Sequence, residues 1–228
     1  MKSTDFPPFH TRVIRRLLQL IFRFLFRLMA KVTVTGKSNI PDRPPYLVVF
    51  NHVSIYGPPF LVAFWPFPPE VLGAIDVWSR AGQNILARLY RGIPIQRGEI
   101  DRGAMEQMVK VLKSGRPLLV SPEGGRSHSP GMRQAKSGIL YIIKKTQVPI
   151  VPVGVIGTTD DFFQQAIHGQ RPCLEMNIGE PFYLPDDEDM EGSPKDIRQA
   201  RVDLIMKKIA SLLPKEYQGF YENPPGRD

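Results

Sequence analysis

Short apolar runs that end in glycine- or proline-containing turns recur along this chain, and they constrain its fold more than any other feature. The run at residues 46–50 is rich in β-forming side chains and follows Pro44-Pro45, so it predicts a short buried strand. The same reasoning predicts further strands at residues 31–36, 71–75, 93–95, 117–120 and 149–155.

Helical patterns separate these strands, and Asp101 is placed to cap one of the predicted helices. Strands that alternate with helices predict an α/β fold, in which a largely parallel sheet is flanked by helices. The predicted helices span residues 59–65, 79–90, 104–112, 135–146 and 196–213.

A chain of 228 residues has room for one such domain. We place it at residues 31–213, after an N-terminal membrane-association helix within residues 1–30. The tail at residues 214–228 is expected to be loosely ordered, and the acidic stretch at residues 186–191 to be a solvated loop.

Residues 11–30 have a helical period with two unlike faces. A wide apolar face with arginine as its only charge is typical of a helix that lies in a membrane interface, where arginines attract anionic lipid. The alternative is an ordinary amphipathic helix packed on the core. We expect removal of residues 1–30 to leave a folded, soluble core. About a third of the circumference is polar, carrying Arg12, Arg15, Arg16, Gln19, Arg23 and Arg27, and Phe26 is the one apolar residue on that side.

The net charge of +8 is concentrated at the N-terminus, because residues 1–40 carry eight Lys and Arg against one Asp, which gives +7 and leaves +1 for the rest. These cations share a helix with a lipid-like face and are not interleaved with stacking aromatics on a sheet, so we expect no nucleic-acid partner. The arginines interrupt the apolar residues too often for a transmembrane helix or a signal peptide. We therefore expect a peripheral protein on the cytoplasmic face of a membrane.

The sequence has no pattern for a disulfide, a metal or a nucleotide. Its single cysteine, Cys173, cannot form an internal disulfide and suits a reducing compartment. The four histidines are scattered and have no metal-ligand spacing. Neither a Walker loop nor a dinucleotide signature is present. We expect no metal and no bound cofactor.

Two polar blocks follow buried strands, where open α/β sheets usually place their chemistry. Asn51-His52 follows the strand at residues 46–50 and is succeeded by Gly57-Pro58-Pro59. Ser121-Pro122-Glu123-Gly124-Gly125-Arg126-Ser127 follows the strand at residues 117–120. An imidazole and a glycine-rich turn with one acid and one base are thus predicted at the same edge of the sheet.

Four motifs in order resemble those of the glycerolipid acyltransferase family, the 1-acylglycerol-3-phosphate acyltransferases and their relatives. The first is Asn51-His52 with Pro58-Pro59, and the third is Glu123-Gly124-Gly125-Arg126-Ser127. The second, Gly92-Ile93-Pro94-Ile95-Gln96-Arg97, and the fourth, a proline-rich strand with Pro149 and Pro152, complete the set. The resemblance covers roughly residues 31–180, with one departure: the family's Asp, five positions after the His, is Gly57 here.

The resemblance implies transfer of a fatty acyl chain from acyl-CoA or acyl carrier protein to the free hydroxyl of a lysophosphatidate-like acceptor. Asn51 and His52 would be catalytic, with His52 as general base because an imidazole titrates near neutrality. In the family, the Asp orients this imidazole, and loss of such a carboxylate in a triad can cost about 10⁴ in rate. Three interpretations stay open: a weakened enzyme, an enzyme that uses another acid such as Asp101 or Glu123, or a non-catalytic phospholipid-binding homologue.

The third motif is expected to bind the acceptor. Arg126 suits a phosphate because its guanidinium is a fork of donors, and Gly124 and Gly125 let backbone amides approach. Ser127 can partly replace the hydroxyl of the family's Thr at position 125, and the resemblance implies that Glu123 orients Arg126 or the acceptor's hydroxyls. Arg97 would be a second phosphate clamp, and Lys136 is either a third cation or simply solvated. Pro58, Pro149 and Pro152 are expected to shape an apolar acyl groove.

Overall fold

The computed structural model describes residues 7–96, 101–185 and 190–222. Arg97 and most of the predicted acidic loop at residues 186–191 lie outside these ranges.

Helices and strands alternate through most of the described chain. In order, they are α1 (Phe9–Met29), β1 (Lys31–Thr35), β2 (Leu47–Phe50), α2 (Gly57–Phe64), β3 (Glu70–Ala74), α3 (Gln83–Tyr90), β4 (Ile93–Ile95), α4 (Arg102–Lys113), β5 (Leu118–Val120), α5 (Gly138–Thr146), β6 (Ile150–Ile156), α6 (Phe162–Ile167), β7 (Cys173–Ile178), α7 (Pro194–Ala210) and α8 (Lys215–Gln218).

The seven strands form one sheet in the order β1-β7-β6-β2-β5-β3-β4. The five strands from β6 to β4 are mutually parallel, whereas β7 runs antiparallel to β6 and pairs in parallel with β1. The prediction of a largely parallel α/β sheet is therefore confirmed. The strand β7 and the helix α6 were not predicted. β1 joins the sheet by pairing with β7.

Both faces of the sheet are covered, as β2 shows most directly. Its alternate residues Leu47 and Val49 belong to one hydrophobic cluster, and Val48 and Phe50 to another. The first cluster is completed by α4, α5 and α7, and the second by α1 and α2. A strand that is buried on both faces is apolar at every position, as residues 46–50 are.

The polar face of α1 lies against the protein, and its apolar face lies outward. Arg15 and Gln19 are buried on the inner side together with Phe26, the apolar residue of the polar face. The outer side chains are between 38% and 73% exposed. Arg15 is therefore buried in the protein, and the expectation that the arginines of this face attract anionic lipid does not hold for it. The outer face carries Phe9, Val13, Leu17, Leu20, Ile21, Phe24, Leu25 and Leu28.

Arg15 is the reason for this orientation. Its guanidinium donates to both carboxylate oxygens of Glu70 at 2.5 and 2.8 Å, and each side chain of the pair is only 5% exposed. Farther along the helix, Gln19 donates to the carbonyl oxygens of Val62 and Trp65. No helix within the described ranges is long and apolar enough to cross a bilayer.

The prediction of a loosely ordered tail is wrong for residues 214–222. Tyr217 and Tyr221 are buried. The Tyr217 hydroxyl accepts a hydrogen bond from the Gly157 amide, and the Tyr221 hydroxyl accepts one from the Ala135 amide. These tyrosines hold the loops that follow β5 and β6, so the C-terminal segment supports the same edge of the sheet as the two motifs.

Candidate active site

The two polar blocks meet at the carboxyl ends of neighbouring strands. His52 follows β2, the Glu123 loop follows β5, and Gly157-Thr158 follows β6, with β2 between the other two strands. Backbone hydrogen bonds join the first two blocks, because the Ser127 amide donates to the His52 carbonyl at 2.9 Å and the His128 amide to the Val53 carbonyl at 3.2 Å. The structure therefore brings the first and third motifs together.

Asn51 ties the site to the sheet. Its side-chain nitrogen donates to the Val155 carbonyl at 2.8 Å, and its side-chain oxygen accepts from the Val155 amide at 2.7 Å. The side chain thus extends the pairing of β2 with β6 by one step. This contact fixes the direction in which the next residue, His52, leaves the strand.

His52 is 9% exposed and stands edge-on to the Phe50 ring, with 5.5 Å between the ring centroids. Its backbone amide donates to Glu123 Oε1 at 2.8 Å. An imidazole that is largely buried and held by its backbone has a restricted set of orientations, which suits a base that must meet one substrate atom.

Glu123 holds backbone in place. Its second oxygen, Oε2, accepts from the Arg133 amide at 2.8 Å, so the carboxylate bridges the His52 strand end and the far side of its own loop. The side chain is 1% exposed. Burial raises the pKa of Glu123 to about 7, against the opposing effect of the two amide hydrogen bonds and the Arg133 charge.

The proposed substitutes for the missing carboxylate are both engaged elsewhere. Among the described residues, Glu123 makes no hydrogen bond to Arg126. It accepts from the backbone amide of His52. Asp101 caps α4, as predicted, by accepting from the Ala104 amide, and it also accepts from the Gln96 amide. These two amide hydrogen bonds, Ala104 first, lower the pKa of Asp101.

The absence of a side chain at Gly124 allows the Lys136 side chain to pack against the Glu123 loop. Its φ is +68°, and a Cβ there would lie 2.9 Å from Lys136 Cδ and 3.5 Å from Lys136 Nζ. Any side chain at this position would therefore meet both an unfavourable backbone angle and the lysine. Lys136 thus lies along the loop and is exposed, so its role as a third cation stays a prediction.

Arg133 adds a cation that sequence reasoning missed. Its Nη1 donates to the Arg126 carbonyl at 3.2 Å and would lie 3.6 Å from a Cβ on Gly125. Arg126 itself is half-buried. Ser127 donates through its hydroxyl to the Ser129 carbonyl at 2.5 Å. Arg133 lies in a segment without periodicity, so no sequence pattern pointed to it.

A histidine–aspartate pair at the rim was also missed. His128 Nδ1 lies 3.0 Å from Asp160 Oδ2, and His128 has a left-handed φ of 59°. Both side chains are about half exposed. The pair links the Glu123 loop to the turn after β6.

Gly57 is the first residue of α2, and its backbone angle is one that any residue can adopt. Outside its chain neighbours and its own helix backbone, the only atom of the described part of the chain within 4 Å of a Cβ built there is Thr158 Oγ1, at 3.7 Å. A carboxylate at position 57 is therefore sterically allowed. Thr158 is wholly buried, and its hydroxyl has no hydrogen-bond partner within the described ranges.

The prolines are not brought together as an acyl groove. Pro149 accepts from the Leu47 amide, which places it at the amino end of β2, opposite to His52. Pro152 pairs with Val49 inside the sheet and is buried. Pro58, in the first turn of α2, is the one of the three on the His52 side.

The fold resembles the crystal structure of the 1-acyl-sn-glycerophosphate (LPA) acyltransferase PlsC from Thermotoga maritima. The TM-score is 0.65 at 22% identity, over 89% of this chain and 80% of that one. Sequence similarity reaches a 1-acyl-sn-glycerol-3-phosphate acyltransferase of Borreliella burgdorferi, 27% identical over 65% of this chain and 60% of that protein. It also reaches a lyso-ornithine lipid O-acyltransferase of Pseudomonas aeruginosa, 28% identical over 79% of this chain and 74% of that protein.

The structural likeness defines the fold class, an α/β domain with a largely parallel sheet. A family model described as Acyltransferase matches residues 31–156, more than half of the chain. The chain therefore belongs to the Acyltransferase family, as its four motifs predicted. It spans less than two thirds of the Borreliella burgdorferi protein and 56% of a probable 1-acyl-sn-glycerol-3-phosphate acyltransferase of Mycoplasma pneumoniae.

Proposed function

We propose that this protein is an O-acyltransferase that moves a fatty acyl chain from acyl-CoA or acyl carrier protein to the free hydroxyl of a lysolipid, with 1-acylglycerol-3-phosphate as the preferred acceptor. One observation carries the proposal: His52 and the Glu123–Ser127 loop are joined by direct hydrogen bonds at one edge of the sheet. A general base and an anion-binding loop are the two parts that this reaction needs.

In the proposed reaction, the His52 imidazole takes the proton of the acceptor hydroxyl while that oxygen attacks the thioester carbonyl. The carbon–sulfur bond then breaks, an ester forms, and the departing thiolate recovers the proton from the imidazolium. The structural contribution is orientation, since Asn51 and Glu123 fix the backbone on both sides of the imidazole.

The acceptor's phosphate would bind beside Arg126, Arg133 and Lys136. Arginine and lysine bind a phosphate through charge-assisted hydrogen bonds, and three cations around one loop favour a dianionic ligand over a neutral one. The relatives named for 1-acyl-sn-glycerol-3-phosphate and for lyso-ornithine lipid define the two acceptors to compare.

The test is turnover of the purified protein with acyl-CoA or acyl carrier protein and each of the two lysolipids. We expect product from lysophosphatidate, with kcat reduced at least about 100-fold in His52→Ala. His168→Ala, which removes an exposed histidine bound to the Gln164 carbonyl, is the matched control and should behave as wild type. Activity that survives His52→Ala would exclude His52 as the base.

A second function is favoured by Gly57, because this position lacks the family's orienting carboxylate. On that alternative, the protein binds phospholipid without turnover. Gly57→Asp separates the two, since the position accepts a Cβ without a clash. If His52 is a working base, Gly57→Asp should raise kcat. The binding function would be favoured if neither the wild type nor a folded Gly57→Asp protein turned over either lysolipid.

Membrane association belongs to the same proposal. We infer that the outward face of α1 inserts into the interface of a bilayer, because an exposed apolar strip of this length is not expected on a protein surrounded by water. Beside it, a 420 Å³ groove is lined by Arg23, Arg27 and Lys37, where lipid headgroup phosphates could bind. The cytoplasmic leaflet is the membrane face that we propose.

Flotation with anionic vesicles tests this arrangement. Phe24→Glu should release the protein. Tyr141→Glu, at an exposed aromatic of α5 on the other face of the sheet, is the control and should not. Equal flotation of both variants would show that α1 does not make the contact.

A further inference from the structure

Thr158 is a buried hydroxyl without a hydrogen-bond partner within the described ranges. Buried polar atoms are nearly always satisfied, so a group in this state calls for an explanation. Thr158 lies just beyond β6, the parallel neighbour of β2, and Asn51 locks the two strand ends to each other through Val155. The orphan hydroxyl therefore lies at the edge of the sheet from which His52 projects.

The hydroxyl faces the position at which the family carries its carboxylate. Thr158 Oγ1 is 3.7 Å from a Cβ built on Gly57, and among the residues that the structure describes no other atom outside the chain neighbours and the helix backbone comes within 4 Å of that Cβ. Glycine at position 57 thus leaves a small space whose nearest polar neighbour is this hydroxyl. A buried water needs polar partners, and Thr158 Oγ1 offers one beside this position.

We propose that Thr158 replaces the missing carboxylate as the positioning residue for His52. Its hydroxyl would hold the imidazole in the productive tautomer through one water molecule bound beside Gly57. A hydroxyl has one donor and two acceptor sites, so it can anchor such a water whichever way the water is oriented. The inference rests on the proposed role of His52 as a base, and it explains how the site works with glycine at position 57.

The kinetic test compares Thr158→Val, which keeps the side-chain shape but removes the hydroxyl, with Thr158→Ser, which keeps the hydroxyl. A water-mediated contact between neutral groups is weaker than a carboxylate contact, so Thr158→Val should lower kcat about tenfold with little change in KM. Thr158→Ser should stay within about twofold of wild type. Thr159→Val, the adjacent threonine that bonds the exposed Asp161, is the matched control.

Rescue adds a result that a merely structural role would not produce. Gly57→Asp in the Thr158→Val background should restore kcat to the wild-type value or above, because the carboxylate then orients the imidazole directly. If Thr158→Val matches the Thr159→Val control, or if Thr158→Ser loses as much activity as Thr158→Val, the assignment is wrong.

A measurement without turnover separates this inference from the proposed function. ¹⁵N NMR of histidine-labelled protein, with the His52 signals identified from His52→Ala, reports the imidazole tautomer directly. Thr158→Val should mix the tautomers, and Thr159→Val should not. Mixed tautomers in Thr158→Val would support the positioning role of Thr158 even if the protein proved inactive toward both lysolipids. An unchanged tautomer in Thr158→Val would overturn the inference even if the enzyme were fully active.

Discussion

Replacing Arg15 by Met should destabilise the whole protein, because it leaves the Glu70 carboxylate buried without its closest partner. The pair is 5% exposed on each side and bidentate, and Arg15 also donates to the Tyr90 carbonyl at 2.8 Å and lies over the Tyr90 ring at 4.7 Å. Breaking a buried ion pair on one side typically costs about 3–5 kcal/mol. Arg116 still contacts Glu70 at 2.9 Å, so we expect a loss near the lower end, about 3 kcal/mol.

Urea unfolding followed by tryptophan fluorescence measures this loss. Trp65 is a suitable reporter because it is 1% exposed and its carbonyl accepts from Gln19, which lies on α1 with Arg15. Arg12→Met is the matched control, because Arg12 is an exposed arginine one turn earlier, and its change should stay within about 0.5 kcal/mol. The double variant Arg15→Met/Glu70→Met should recover part of the loss, because it removes the unpaired charge.

A loss below about 1 kcal/mol for Arg15→Met would refute the inward orientation of the arginine face. The same reasoning reverses one expectation from the sequence. Removing residues 1–30 would strip both Arg15 and Phe26 from the core, so we now expect the truncated chain to be poorly folded.

Three further predictions concern the loop after β5. Arg126→Lys keeps the charge but loses the bidentate fork, so KM should rise several-fold for lysophosphatidate and little for lyso-ornithine lipid; equal losses on both would make Arg126 structural. Glu123 keeps its proton to about pH 7 in the folded state, whereas an unfolded glutamate loses it near 4.5, so the free energy of unfolding should fall by about 3 kcal/mol as pH rises across this window. Urea midpoints should show this slope in wild type and not in Glu123→Gln; parallel slopes would contradict the buried carboxylate. Gly124→Ala, at a φ of +68° and against Lys136, should cost at least about 1 kcal/mol in urea unfolding. Gly125→Ala, whose Cβ has room, should cost less, and the reverse order would contradict the loop geometry.

Much of the fold was predictable because it follows from local pattern. The strand at residues 46–50 is apolar at every position because it is buried on both faces, and that continuous run is visible in the sequence. Asp101 caps its helix through an oxygen that reaches an amide three residues away, which is again a local relation. The strand β7 was missed although its residues alternate in burial, which is itself a strand pattern, and its place between β1 and β6 was set by tertiary pairing.

The active-site neighbourhood was predictable only as far as the family motifs reach. The predicted strand ends placed His52 and the Glu123 loop at one sheet edge, as the structure shows, and the motifs assigned them roles. Motifs could not say that Glu123 bonds two backbone amides, because those amides belong to residues 52 and 133 and any residue offers the same donor. Nor could they single out Thr158, whose nearness to Gly57 exists only after β6 has paired with β2.

The sequence by itself determined that α1 is amphipathic, since a period near 3.6 separates its arginines from its leucines and phenylalanines whatever surrounds the helix. Only the tertiary structure decided which face meets the protein. That choice depends on Glu70, which is 55 residues away in sequence and enters the interior at the start of β3. A carboxylate buried there needs a cation, so the arginine face turns inward and the apolar face is left outward.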